Sequence, residues 1–151
     1  MSGNQSLEEI EKNCRVFHFA VLRHLLPKPS NRNSHWDLLL ESPNSKTDSL
    51  WTFEVQNPPH IWRTESITQL ADHRKVYLTY EGPISNGRGK VSNVLNGTVT
   101  WDLVSDDRLE LLLVGTGKFS DWRKCCHLTR TSQHGDLDHG PRWEMSISEL
   151  E

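Results

Sequence analysis

Three side chains in the first quarter of the chain have the types and spacing to hold a cation. His35 and Asp37 stand two apart in the segment HWDLLLE. On a β-strand both project from one face, while Trp36, Leu38 and Leu40 project from the other and can pack. His24 ends the preceding apolar stretch, and an antiparallel return through residues 25–34 brings it alongside His35. Two imidazoles and one carboxylate on adjacent rigid strands suit a borderline divalent cation such as manganese, iron or zinc, and leave positions open for a substrate. A second pair, His73 and Tyr77, is spaced by four and shares a face in either a strand or a helix. An imidazole and a phenol aimed together bind an anionic oxygen and supply a proton to a leaving group.

Such residues need strands to position them. From residue 16 onward the hydrophobic period is two, in segments 16–23, 35–41, 50–56, 76–81, 97–103, 109–114 and 122–129. Turn-rich stretches such as PKPSNRNS, QNPPH and GPISNGRGK separate them. This pattern predicts an all-β fold, a small antiparallel β-barrel with one or two short peripheral helices. One helix is expected at the N-terminus, where Ser6 to Glu9 form a capping box ahead of Ile10 and Cys14, and another around 64–71. The organisation expected is an N-terminal helix or arm over 1–14, one domain over 15–147 and a tail over 148–151. The stretch after Thr131 adds one strand near Trp143. Trp36, Trp51, Phe53, Trp101, Leu111, Leu113 and Trp122 form the expected packing set, and Gly82, Gly87 and Gly89 supply positive φ or close approach.

The chain has 151 residues, of which 34% are apolar and 8% aromatic, enough for one lean core and too much for a disordered chain. With 17 basic and 20 acidic residues the net charge is −3, which argues against non-specific wrapping of nucleic acid, so any phosphate contact must be local. The three cysteines cannot form an even disulfide framework. No apolar run has the length of a membrane span, and the first residues lack the basic and apolar regions of a secretory signal. A cytoplasmic location without a membrane partner is expected.

The order of segments carries a resemblance. Arg23-His24, then HWDLLLE, the aromatic strand LWTFEV, DHRKVYLTYEGPISNGRG, GTVTW and a final stretch ending at Arg130 resemble the 3'-phosphoesterase domain of bacterial DNA ligase D, in particular its small stand-alone members. The similarity spans residues 16–130, and its specificity lies in the combination of H-x(10)-H-x-D with D-H-x(3)-Y-x(3)-E-G. The resemblance implies a small β-barrel with a polar crevice, and a divalent metal, usually manganese, on His24, His35 and Asp37, with zinc or iron as alternatives. It also implies that His73 and Tyr77 face the scissile phosphate as catalytic residues. The implied reaction is removal of a terminal ribonucleoside and then of the 3'-phosphate from nucleic-acid 3' ends in DNA repair, with other repair proteins as further partners.

Three positions depart from that family's pattern. Leu39 stands where the family has an arginine, Gln56 or Asn57 where it has a lysine, and Glu65 where it has a further arginine. Arg63, Arg23 and Arg88 are the cations expected to replace them at the phosphate. Two rival functions follow from the same residues. A catalytically degenerate module would bind nucleic-acid ends or a repair partner without turnover. A non-haem iron oxygenase would use the His-x-Asp pair with His127 as distal ligand and Arg130 as anchor. The cluster His134 to His139 and the run Cys125-Cys126-His127 also contain ligand types, but adjacent strand cysteines point to opposite faces.

Overall fold

The computed structural model describes residues 16–27, 33–43, 49–132 and 140–149. Nine strands follow one another: β1 Phe17–Leu25, β2 His35–Leu40, β3 Ser49–Val55, β4 Thr64–Arg74, β5 Gly82–Pro83, β6 Lys90–Val104, β7 Arg108–Gly115, β8 Arg123–Arg130 and β9 Arg142–Glu149. All pairs are antiparallel, and 8 strands close a barrel in the order β1-β2-β3-β4-β9-β8-β7-β6, with β6 returning to β1. The short β5 is appended to the start of β6. Closure leaves the main sheet without a free edge.

The expected all-β barrel is therefore the fold, with two corrections. Residues 64–71 lie within β4 instead of forming a helix, and the expected strand over 76–81 is instead a 3₁₀ turn at Lys75–Leu78 followed by a crossing segment. Among the described residues the only helical pieces are this turn and two others, Pro59–Ile61 and Gly117–Phe119. The expected N-terminal helix lies outside the described residues. β9 continues to Glu149, two residues beyond the expected domain boundary at 147. No helix among the described residues is long and apolar enough to cross a membrane.

Alternation along the strands divides the apolar residues between two cores. Phe19, Val21, Leu38, Leu40, Phe53, Leu111, Leu113 and Met145 fill the barrel lumen. Trp143 is buried there too, its ring edge-on to Phe53 at 5.6 Å and its Nε1–H donating to Gln69 Oε1 at 3.0 Å. Of the expected packing set, Phe53, Leu111 and Leu113 are fully inside, while Trp36, Trp51, Trp101 and Trp122 pack half-buried against them. Each fully buried side chain of this size contributes roughly 1.5–3 kcal/mol of transfer free energy.

The second core lies on the outer face of β1, β2 and β3. Ala20, Leu22, Leu39, Leu50 and Val91 are buried there beneath Tyr77, Leu78, Tyr80 and Ile84, which arrive on the crossing segment after β4. An ion pair ties that segment down: Lys75 Nζ lies 2.8 Å from Glu41 Oε2, and the His18 backbone N–H donates to Glu41 Oε1 at 3.1 Å. Burial works to raise the Glu41 carboxyl, but the Lys75 ammonium and the His18 donors outweigh it and hold the group below its ordinary 4.5.

This has a defined consequence for acid stability. A depressed carboxylate contributes stability that is present above its unfolded value near 4.5 and is lost as pH falls through the lower folded value. Glu41→Gln is expected to lower the thermal midpoint at neutral pH and to flatten the acid limb of the stability profile. Melting curves across the acid range check this, and an unchanged limb would exclude Glu41 as its source.

Candidate metal centre

Strand register delivers the site. In the β1–β2 ladder His24 is the cross-strand partner of His35, and in β2–β3 Asp37 is opposite Glu54. Period-two alternation then puts His24, His35, Asp37 and Glu54 on the outer face, next to the second core. The two imidazoles meet edge to face, with centroids 4.8 Å apart. One ligand atom from each of His24, His35 and Asp37 lies within 4.8 Å of the others, the single such group among the described residues.

The atoms facing inward are lone-pair donors. The His35 Nδ1–H donates to the Asn33 carbonyl at 3.1 Å and sits 3.1 Å from Glu54 Oε1, which leaves Nε2 as the basic nitrogen. The His24 Nε2–H donates to the Arg88 carbonyl at 2.8 Å, which leaves Nδ1 directed at Asp37 Oδ2, 3.4 Å away. His35 Nε2 and Asp37 Oδ1 are 3.0 Å apart, yet their angles do not make a hydrogen bond, so two buried polar atoms are left without a hydrogen-bond partner. Orphaned atoms of this kind are costly unless something else satisfies them. Separations of 3.0 Å to Asp37 Oδ1 and 3.4 Å to Asp37 Oδ2 put one imidazole nitrogen beside each carboxylate oxygen, within reach of a shared cation with bonds of about 2.1 Å. The donor set therefore fits a divalent cation.

Electrostatics agree. Burial works to raise the Asp37 carboxyl, but the close polar contacts with His24 and His35, 3.4 and 3.0 Å away, outweigh it and bring it down to about 2. For His35, burial works to lower the imidazolium's pKa, and the contacts with Asp37, the Asn33 carbonyl and Glu54 reverse this, so the group is raised above 6.5. A buried, ionised carboxylate beside two imidazoles is the donor chemistry that a divalent cation takes.

The triad forms one part of a cleft of about 470 Å³ that also contains His73, Tyr77, Arg74 and Arg88. His73 closes β4, where a bulge between Leu50 and Thr52 in the facing strand shifts the register, and its backbone N–H donates to Thr52 Oγ1 at 3.2 Å. Its Nδ1–H donates to the Ala71 carbonyl at 3.1 Å, freeing Nε2 as an acceptor. His73 and Tyr77 do not share one regular element: the chain turns a corner between them, and the rings meet edge to face at 5.7 Å. The turn after β5 is fixed by Asn86 at φ 63° and Gly87 at φ 66°, the pattern of a tight hairpin turn. At Gly89 a Cβ would come within 1.9 Å of the Leu25 carbonyl oxygen. This close approach holds the Arg88 carbonyl on His24.

No protein-family model and no curated protein matches this chain.

The expected phosphate contacts need correction. Of the three, only Arg88 lines the cleft. Arg23 alternates to the face opposite His24, where its guanidinium stacks over Trp36 at 3.9 Å. Arg63 is exposed just before β4 and is not a cleft residue; its carbonyl accepts from the Ile147 N–H at 2.7 Å. His127, on β8 across the barrel, lies 3.6 Å from Glu110 Oε1 and is not part of the triad's cluster, so the distal iron ligand of the oxygenase reading is not assembled. The His134 to His139 cluster lies outside the described residues. Of the cysteine pair, Cys126 is buried in the lumen and Cys125 is only half-buried, as opposite faces require.

Two residues were missed from the sequence. Arg74 borders the cleft next to His73, and Glu54 supports His35. The signal for Glu54 was a lone acid between Phe53 and Val55, on the same strand face as Thr52. A carboxylate on the far nitrogen of a ligating imidazole fixes its tautomer and raises its basicity. Glu54→Gln is expected to weaken manganese or zinc binding about 10- to 100-fold, while His35→Ala abolishes it. Calorimetric titration of the metal-free protein measures both, and unaltered affinity in the Glu54 variant would remove it from the site.

Proposed function

We propose that this protein is a divalent-metal-dependent phosphoesterase, with manganese the preferred ion, that acts on nucleic-acid 3' ends in DNA repair. It would remove a terminal ribonucleoside and a 3'-phosphate. The observation that carries the reading is the joining, in one cleft, of a triad with unsatisfied inward atoms and an imidazole–phenol pair. Its pattern is that of the resemblance to the ligase D phosphoesterase domain.

A divalent ion on His24, His35 and Asp37 would supply Lewis-acid neutralisation of a phosphoryl oxygen. The chain's own groups supply the rest. His73 Nε2, with Nδ1 anchored on the Ala71 carbonyl, is placed in the cleft to hold a second phosphoryl oxygen when protonated. The Tyr77 hydroxyl delivers a proton to the departing oxygen, the ribonucleoside's 5'-oxygen in the first cleavage and the 3'-oxygen in the second, as the P–O bond breaks, while water adds to phosphorus and releases a proton to solvent, from which Tyr77 is reprotonated. Leu22, Leu70 and Val91 provide apolar wall that limits water around the reacting group.

A specific observation favours one second reading, a binding module without turnover. Leu39 is fully buried in the outer core, and Asn57 Nδ2 donates to Glu65 Oε1 at 2.8 Å, so these altered positions satisfy packing and each other instead of presenting cations. End binding with a shallow salt dependence, and no turnover with any divalent ion, would select that module.

The test uses a primer tipped with one 3'-ribonucleotide. His73→Ala and Tyr77→Phe are each expected to slow metal-dependent release about 10²- to 10⁴-fold while leaving metal affinity intact. Undiminished release in either variant would remove that residue from the chemistry.

A further inference from the structure

We propose that Arg74 and Arg88 together form the anion clamp of the cleft, binding the phosphoryl group from two sides. This rests on the reading that the cleft receives a phosphorylated end. Arg88 stands at the triad's side, since its own carbonyl accepts from His24; Arg74 stands at the other, with its guanidinium 6.0 Å from the Tyr77 ring.

Four observations lead there. Both arginines line the cleft that contains His24, His35, Asp37, His73 and Tyr77. Among the described residues neither forms an ion pair with a carboxylate, whereas the neighbouring Lys75 is taken by Glu41. The Arg88 guanidinium is already oriented: Nε donates to the Ser85 carbonyl at 2.9 Å and Nη2 to Ser85 Oγ at 3.1 Å. Its Nη1 edge remains for an anion, and a pre-oriented fork loses less entropy on binding. The other cations expected at the phosphate are elsewhere, Arg23 over Trp36 and Arg63 outside the cleft.

Asp72 also borders the cleft, so the clamp works against one exposed carboxylate there. Two guanidiniums outnumber it, and each forms charge-assisted bonds to phosphoryl oxygens, bidentate where geometry allows. The cations stand on the turn after β5 and at the end of β4, not at Leu39, Asn57 and Glu65. A substrate would therefore be gripped from the two ends of the segment that crosses the outer core.

The experiment is calorimetric titration of inorganic phosphate into the full chain loaded with manganese. Arg74→Gln and Arg88→Gln are each expected to weaken phosphate binding several-fold, and the double variant about tenfold or more. Manganese affinity should stay the same in all three, because the His24 contact uses the Arg88 backbone. Arg23→Gln serves as the control and should bind phosphate as the parent does. Both clamp side chains are exposed, so the fold tolerates the changes, and each single variant tests the clamp alone. Equal phosphate affinity in parent and double variant, or no phosphate binding by the parent, would overturn the clamp. Metal-dependent 3'-end release that persists unaltered in the double variant also overturns it while leaving the phosphoesterase reading intact. Arginine-dependent phosphate binding without any 3'-end release supports the clamp and overturns that reading.

Discussion

A carboxylate held at 2% exposure among leucines stays charged only where donors and cations meet it. At Asp37 those partners are two imidazoles, and strand pairing delivers both. His24 cannot leave His35 without breaking the β1–β2 register, and a one-residue slip would turn His35 and Asp37 into the lumen. The backbone of the site is thus as fixed as the barrel wall, while the carbonyls of Asn33 and Arg88, just outside the strands, orient the two imidazoles. The same register sets Glu54 across from Asp37, so the triad and its support are one ladder of the sheet.

The two cores divide the work. Large aromatic and branched residues in the lumen hold the barrel, and a smaller apolar patch outside it holds the crossing segment that carries Tyr77. That segment is what turns a flat sheet face into a cleft. Its attachments are local and distinct: the Lys75–Glu41 ion pair, the Tyr80 hydroxyl donating to the Pro83 carbonyl, and the Ile84 N–H donating to the Gly89 carbonyl at 2.8 Å. Side chains with chemistry lie where the polar rim of the outer core meets the turn after β5. The candidate site and the lumen core therefore lie on opposite faces of β1 and β2.

Much of this was legible because strands have a period of two. The pairing of His35 with Asp37, the return that brings His24 beside them and the lumen role of Leu111 and Leu113 all follow from it. Where the period was masked, the reading failed. In β4, Ile67, Leu70 and Ala71 recur at helical spacing, and Gln69 occupies an inward position that usually takes an apolar residue; the Trp143 indole satisfies its amide, so the strand persists. Residues 76–81 alternate like a strand, yet the barrel closes through β1 and β6 without them, and they cover the outer core instead. Arg74 and Glu54 were invisible as site residues for a further reason. Their roles come from cross-strand neighbours and a chain corner, which spacing along one segment does not encode.

The proposed chemistry needs one cation on His24, His35 and Asp37 beside the cleft. The most direct measurement is an anomalous difference map from crystals of the full chain grown with manganese. A single strong peak is expected about 2.0–2.3 Å from His24 Nδ1, His35 Nε2 and an Asp37 carboxylate oxygen. A well-ordered triad without a peak, or manganese bound only elsewhere on the protein, would contradict it.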